Sequence, residues 1–322
     1  MKNYLEKFPQ FSVLVVGDLM TDRYLWGTPV RLSHEAPVPI LKIDREEYKL
    51  GGAANVANNL RALDAKVFLS GIVGYDDAAH WFRKACIEAG MDTGGIFLSE
   101  NRPTTLKARI MSTGHNRQML RYDQESNDPI QESEMASMLK YVESHLEVVQ
   151  AIVLSDYDKG VFSNPDLARG ILSLANQHGK LTVVESKPRH ADYFVNTTLL
   201  AFDYEQSQEF VFRRVNSLMT DSATIAYTIC DLLGAKGVIM MKGDEEICLY
   251  TSERQAFQFL LPRESIVDST GMKDTLIGVV TLSLLAGADF GTAARIANQA
   301  VVRKIGKVGT ATVSLSELLQ EA

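Results

Sequence analysis

Hydrophobic and polar positions follow two rhythms along the chain. Short, nearly unbroken apolar runs recur at Val13–Val16, Lys66–Gly71, Ala151–Leu154, Leu181–Val184, Thr198–Leu200 and Gly237–Met241. Runs of this length, rich in β-branched residues, suit strands covered on both faces. Between them lie stretches with apolar residues at helical spacing: Gly52–Leu63, Asp77–Ala89 closing at Gly90, the segment after Asn164-Pro165, Thr270–Leu285 and Phe290–Lys304. Pro165 is well placed for a first helical turn, where its missing N–H costs nothing. Such alternation predicts an α/β fold whose central, mostly parallel sheet is flanked by helices on both faces.

Two stretches break the rhythm. Val38–Tyr48 alternates apolar and polar residues, and Thr104–Tyr122 reads as a hairpin turning at 112–116. Alternation of this kind belongs to strands with one wet face. A small β-sheet lid is therefore expected, its strands inserted at about 22–50 and 103–123. A single domain over 1–322 is expected to carry it.

Composition narrows the partners without naming a reaction. Apolar residues make up 46% and charged residues 23% of 322 residues, an ordinary globular balance. Lys plus Arg number 33 against 40 Asp plus Glu, a net charge of −7, which argues against nucleic-acid or anionic-membrane partners but not against a local basic pocket. Cys86, Cys230 and Cys248 lie far apart without metal spacing, and read as buried thiols in a reducing compartment. The N-terminal ten residues lack an apolar signal core. The longest apolar run, Leu276–Ala288, is interrupted by Gly278, Thr281, Ser283 and Gly287, and falls short of the roughly 18 residues a membrane span needs. A cytoplasmic location is expected. Six scattered histidines suggest no metal site. Gly179-Lys180 and Gly306-Lys307 are followed by Leu181 and Val308, so neither is a P-loop.

Two glycine segments carry candidate chemistry. Gly51-Gly52-Ala53-Ala54-Asn55 opens a helix, with Asn55 in the first turn, where its amide could meet hydroxyls. A tight turn with small-residue packing explains the same residues. Asp268-Ser-Thr-Gly271-Met-Lys-Asp274 precedes a long apolar helix. Backbone N–H groups there could hold an anion, and Asp274 could take a proton from a hydroxyl. Plain capping by Ser269 or Thr270 is the competing explanation.

Together the segments resemble the ribokinase-like (PfkB) family of sugar kinases and, within it, the bacterial heptose-7-phosphate kinase group. The likeness runs in order along the chain. It includes Gly17-Asp-Leu-Met-Thr-Asp-Arg-Tyr24, Arg31-Leu-Ser-His-Glu-Ala-Pro-Val-Pro39, Gly51–Leu60, Leu154-Ser-Asp-Tyr-Asp-Lys-Gly160 and Val308-Gly-Thr-Ala-Thr-Val-Ser314. The resemblance implies a ribokinase-like fold with a β-lid, and ATP-dependent phosphorylation of the anomeric hydroxyl of a heptose 7-phosphate in lipopolysaccharide precursor synthesis, with Mg²⁺. It makes Asp274 the base and the N–H groups of Gly271, Met272 and Lys273 the anion hole. Asp18, Asp22, Gly51, Gly52 and Asn55 would meet the sugar. Arg31, Lys107, Arg109 and Arg121 are candidates for its phosphate, each equally readable as a solvated lid charge. Lys187, Asp203, Gln206, Lys242 and Gly243 would face the nucleotide, and Lys159 lies at a family-like position near the phosphates. The partner is a small sugar phosphate. Exposed lid strands suggest a homodimer. The chain ends soon after the C-terminal kinase segment, so no fused nucleotidyltransferase is expected.

The departures from the family gather on the nucleotide side. Its D-T-x-G-A-G-D signature reads Asp268-Ser-Thr-Gly-Met-Lys-Asp274, its N-x-x-E motif reads Asp203-Tyr-Glu-Gln206, and its T-R/K-G turn reads Met241-Lys242-Gly243. Its D-P-K segment reads Glu185-Ser186-Lys187. Lys273 in a glycine position implies backbone strain, or alternatively a new positive charge on the phosphate. Three readings stay open: an active heptose kinase, a sugar-phosphate binder that has lost efficient transfer, and a kinase for another sugar.

Overall fold

The computed structural model describes residues 1–114 and 117–320. In chain order the first half contains α1 (Lys2–Leu5), β1 (Ser12–Gly17), β2 (Leu19–Leu32), β3 (Pro39–Gly52), α2 (Ala53–Ala62), β4 (Lys66–Gly74), α3 (Asp77–Glu88), β5 (Asp92–Ser99), β6 (Thr105–Ser112), β7 (Arg117–Gln124) and α4 (Glu132–His145). Then come β8 (Ala151–Ser155), α5 (Pro165–Gln177), β9 (Leu181–Glu185), β10 (Leu199–Asp203), α6 (Tyr204–Val215), α7 (Ser222–Leu233) and β11 (Gly237–Lys242). The chain closes with β12 (Glu246–Thr251), β13 (Ala256–Leu260), α8 (Met272–Leu285), α9 (Phe290–Ile305) and α10 (Leu315–Leu319).

Among the described residues, nine strands form one sheet in the order β13-β12-β11-β10-β9-β8-β1-β4-β5. Its pairs are parallel except at one edge, where β11, β12 and β13 run antiparallel. The apolar runs explain why it is covered twice. Side chains alternate between faces along a strand. Val13 and Val15 enter the core shared with α2, α8 and α9, while Leu14 and Val16 enter the core shared with α4 to α7. Helix α8 is apolar nearly all round because it lies between α2 and α9. No helix among the described residues is long and apolar enough to cross a membrane. Cys86, Cys230 and Cys248 are free and buried.

A second, four-stranded sheet has the order β3-β2-β6-β7. It uses both stretches that broke the alternation, and β2 joins them by pairing antiparallel to β3 and parallel to β6. The expected hairpin turn spans 112–116, of which 115 and 116 lie outside the described residues. Segments 92–99, 132–145, 204–233 and 246–260 carry elements that the apolar pattern did not announce. Helix α4 shows why. Its buried residues are Met138 and Val142 alone, and a Gln131–Glu134 capping box defines its start.

Candidate functional site

Parallel strands put their carboxyl ends on one edge, and loops leaving in different directions open a crevice there. The ends of β1, β8, β9 and β10 bring Asp18, Asp156, Glu185 and Asp203 to this edge, and α8 begins above them.

Asp274 is the centre of the arrangement. It lies in the first turn of α8 and is 4% exposed. Asn55 Nδ2 donates to its Oδ2 at 2.5 Å, and the Tyr157 hydroxyl donates to its Oδ1 at 2.9 Å. Burial, followed by the charge of Glu185, pushes its pKa from 3.8 up to about 7, against the pull of those two hydrogen bonds and of Lys273. Neither Ser269 nor Thr270 caps the helix: Gly271 is the N-cap, and the carboxylate turns to Asn55 and Tyr157. Gly271 has φ of 78°, and a Cβ there would meet Asn55 Nδ2 at 2.6 Å, so only glycine fits.

The glycine pair before α2 is equally constrained. Gly52 has φ of 56°, and a Cβ would lie 2.5 Å from the Asp18 carbonyl oxygen. This turn aims Asn55 at Asp274. Asn59 then donates to the Asn55 carbonyl (2.8 Å) and accepts from Thr275 Oγ1 (2.7 Å), locking α2 to α8. The Asn55 amide expected to meet sugar hydroxyls thus gives one N–H to Asp274.

Asp18 also departs from expectation. It is 1% exposed, and its carboxylate accepts the backbone N–H groups of Tyr157 (2.8 Å), Lys159 (3.1 Å) and Val161 (3.2 Å). Burial and then the charge of Asp156 push its pKa up to about 6. It braces the loop that carries Tyr157 and presents no open ligand edge. Lys159 turns away from the nucleotide side: its ammonium donates to Glu125 (2.8 Å) and Asn127 (3.2 Å).

The lid contributes a charged face. Register aligns Lys49, Asp22, Lys107 and Asp123 across the four strands, with Glu47, Tyr24, Arg109 and Arg121 in the next such row. Arg109 pairs with Asp22 and stacks over Tyr24, while Lys107 pairs with Asp123 and Glu125 at 3.3 Å each. Arg121 is half exposed and pairs with Asp123 at 3.0 Å. Lys49 donates to the Val308 carbonyl (3.2 Å), tying this face to the C-terminal segment. Arg31 does not join: it lies nine residues beyond Asp22 on β2, roughly 30 Å at strand rise, and donates to the Leu32 carbonyl.

On the other side of Asp274 is a pocket of about 340 Å³ whose wall includes Lys187, Asp203, Gly243, Gly271 and Lys273. Lys273 sits in ordinary helical backbone, so the expected strain is absent. Its ammonium is not held out for a phosphate either. It pairs with Asp203 Oδ1 at 2.8 Å and Glu185 Oε1 at 3.1 Å. Burial alone would lower its pKa, but the charges of Glu185 and Asp203 carry it above its usual value. Met272 is buried in the core, and its N–H donates to the Ser269 carbonyl at 3.1 Å, so it does not face the expected anion hole. Gln206 closes a capping box with Asp203, and Lys242 pairs with Glu246 at 3.0 Å. Both are thereby taken up locally. Among the described residues no cluster of three metal-ligating side chains occurs. The carboxylates suited to a protein-held Mg²⁺, Glu185 and Asp203, share the Lys273 ammonium, which fills the space between them, so the residues present do not fit that ion.

Tyr157 and Glu185 are the site residues that motif reading did not single out for a role. The signal for Tyr157 was its place in the loop after β8. For Glu185 it was a carboxylate at the end of a buried strand.

Comparison with known proteins agrees with this geometry. Residues 10–317 match the pfkB family of carbohydrate kinases. The chain is 34% identical over 316 residues to "Bifunctional protein HldE" of Helicobacter pylori strain J99, covering 95% of this chain and 65% of that protein. The fold resembles that of phosphofructokinase-2 from Escherichia coli, with a TM-score of 0.76 and 17% identity over 96% of this chain and 97% of that one. It also resembles ribokinase from Thermotoga maritima, with a TM-score of 0.72 and 15% identity over 97% of this chain and 100% of that one. A buried aspartate at a glycine-capped helix start, set between a β-lid and a polar pocket in a ribokinase-like fold, accords with that match: the chain belongs to the pfkB family carbohydrate kinases, phosphotransferases with an alcohol group as acceptor.

Proposed function

We propose that the protein transfers the γ-phosphoryl group of ATP to the anomeric hydroxyl of a heptose 7-phosphate. The observation that carries this reading is Asp274, a buried carboxylate with a raised pKa lying between the charged lid face and the polar pocket. In the step, the Asp274 carboxylate takes the hydroxyl proton. The hydroxyl oxygen forms the new bond to the γ-phosphorus. The bond to the β,γ-bridging oxygen breaks, and ADP leaves with the electron pair. The Gly271 and Lys273 N–H groups lie at a positive helix end, where they would stabilise the oxygens of the transferring group. Arg109 and Lys107, on the inner lid face, are the groups proposed for the 7-phosphate, and the lid would exclude water as a competing acceptor.

Heptose as the substrate class rests on the ordered motifs and on the likeness to HldE proteins, of which the chain spans about two thirds. A dimer through the lid strands is part of the same reading, supported by exposed apolar residues Val30, Leu32, Leu120 and Tyr122 on that sheet.

The test is Asp274→Asn. Turnover with ATP and heptose 7-phosphate should fall at least about a hundredfold, as for loss of a general base, with sugar binding near wild type. Unchanged turnover would overturn the assignment. The capture of Lys273 by Glu185 and Asp203 favours a second reading, a sugar-phosphate binder without efficient transfer. Robust ADP production dependent on heptose 7-phosphate eliminates it, and a panel of other sugars tests the substrate class.

A further inference from the structure

We propose that Lys273 is a built-in counter-ion occupying a latent divalent-cation site formed by Glu185 and Asp203. The two carboxylates come from the carboxyl ends of neighbouring parallel strands: Glu185 pairs in register with Ala201 on β10, and Asp203 lies two residues further on. Two residues on a strand return to the same face, so both acids address one point at the sheet edge.

Glu185 is fully buried, and neither of its oxygens accepts a hydrogen bond. A bare buried carboxylate is costly unless a cation neutralises it. That cation is the Lys273 ammonium, 3.1 Å from Glu185 and 2.8 Å from Asp203. The lysine springs from the first turn of α8, the end of a helix that disfavours positive charge. Its position is therefore explained by the two acids rather than by the helix. Oxygens that meet one nitrogen at these distances need to close in by about 0.2–1.1 Å to meet a hard cation at about 2.0–2.6 Å. The adjoining pocket, about 340 Å³, has room for the waters such an ion keeps.

Removing the ammonium while keeping the acids should turn the pair into an ion-binding site. The probe is MnCl2 alone, without nucleotide or sugar, followed by Mn²⁺ electron paramagnetic resonance and by thermal unfolding. Lys273→Met should bind one Mn²⁺ per chain at least tenfold more tightly than wild type, and millimolar Mn²⁺ should raise its Tm but not that of wild type. Lys273→Arg, which keeps the charge, should behave as wild type. Lys273→Met combined with Glu185→Gln should lose the gain. If Lys273→Met is unfolded in metal-free buffer, Lys273→Gln carries the same measurement. A folded variant with no gain in Mn²⁺ affinity overturns the proposal. So does a wild-type protein that binds Mn²⁺ as tightly as the variant and loses it on Glu185→Gln. Because metal binding is read directly, these outcomes are independent of whether the chain transfers phosphate.

Discussion

Replacing Asp274 by Asn tests the electrostatics of the site through stability as well as through turnover. The carboxyl is 4% exposed, and its pKa rises from 3.8 to about 7 on folding. The folded state therefore binds this proton more tightly than the unfolded state does. The contribution to stability is fully present below about pH 4 and is lost as the pH rises to about 7. At about 1.4 kcal/mol for each pH unit between the two values, ionised Asp274 costs the folded state up to about 4 kcal/mol above pH 7. Asn removes the charge at nearly constant shape. It can still accept from Asn55 through its oxygen and donate to the Tyr157 hydroxyl through its nitrogen. Allowing about 1–2 kcal/mol for weaker hydrogen bonds at either pH, the variant should gain about 2 kcal/mol at pH 8 and lose about 1 kcal/mol at pH 4. For a chain of this size the gain is about 3 °C in Tm at pH 8. Thermal unfolding followed by circular dichroism at both pH values reads it. A variant no more stable than wild type at pH 8, or equally stabilised at pH 4, would refute the reasoning.

The other expectations concern neighbouring groups. Tyr157→Phe deletes the hydroxyl that favours the ionised form of Asp274, so the acid limb of the kcat–pH profile should move up by about half to one pH unit; an unmoved limb would separate Tyr157 from the base. Arg109→Met should raise KM for the sugar phosphate by about tenfold or more through loss of a charge-assisted contact, while Arg31→Met, far out on the lid, should leave it within about twofold; steady-state kinetics distinguish the two. Gly52→Ala forces a side chain onto the Asp18 carbonyl at positive φ and should cost about 2–4 kcal/mol in urea unfolding, with Asn55 no longer aimed at Asp274.

Much of this protein is legible along the chain. Fully buried strands write themselves as β-branched runs, and both faces of Val13–Val16 and Ala151–Leu154 are apolar because both are covered. Lid strand β3 and the β6–β7 hairpin were visible as alternation, β2 was not, and the glycines at 51 and 52 were legible as backbone that allows close approach. The amphipathic elements with few buried residues, such as α4, escaped because capping and tertiary contact define them more than apolar period does. Site roles divided similarly. The place of Asp274 at a helix start was legible, and the family resemblance alone made it the expected base; the partners of Asn55, Asp18 and Lys273 were not legible. Each of these side chains could have faced a ligand by its spacing. Only the folded arrangement decided that Asn55 turns to Asp274, Asp18 to a loop's N–H groups and Lys273 to Glu185 and Asp203. The physical reason is that spacing fixes where a side chain starts, whereas a buried charge or amide ends wherever the fold supplies the partner that satisfies it.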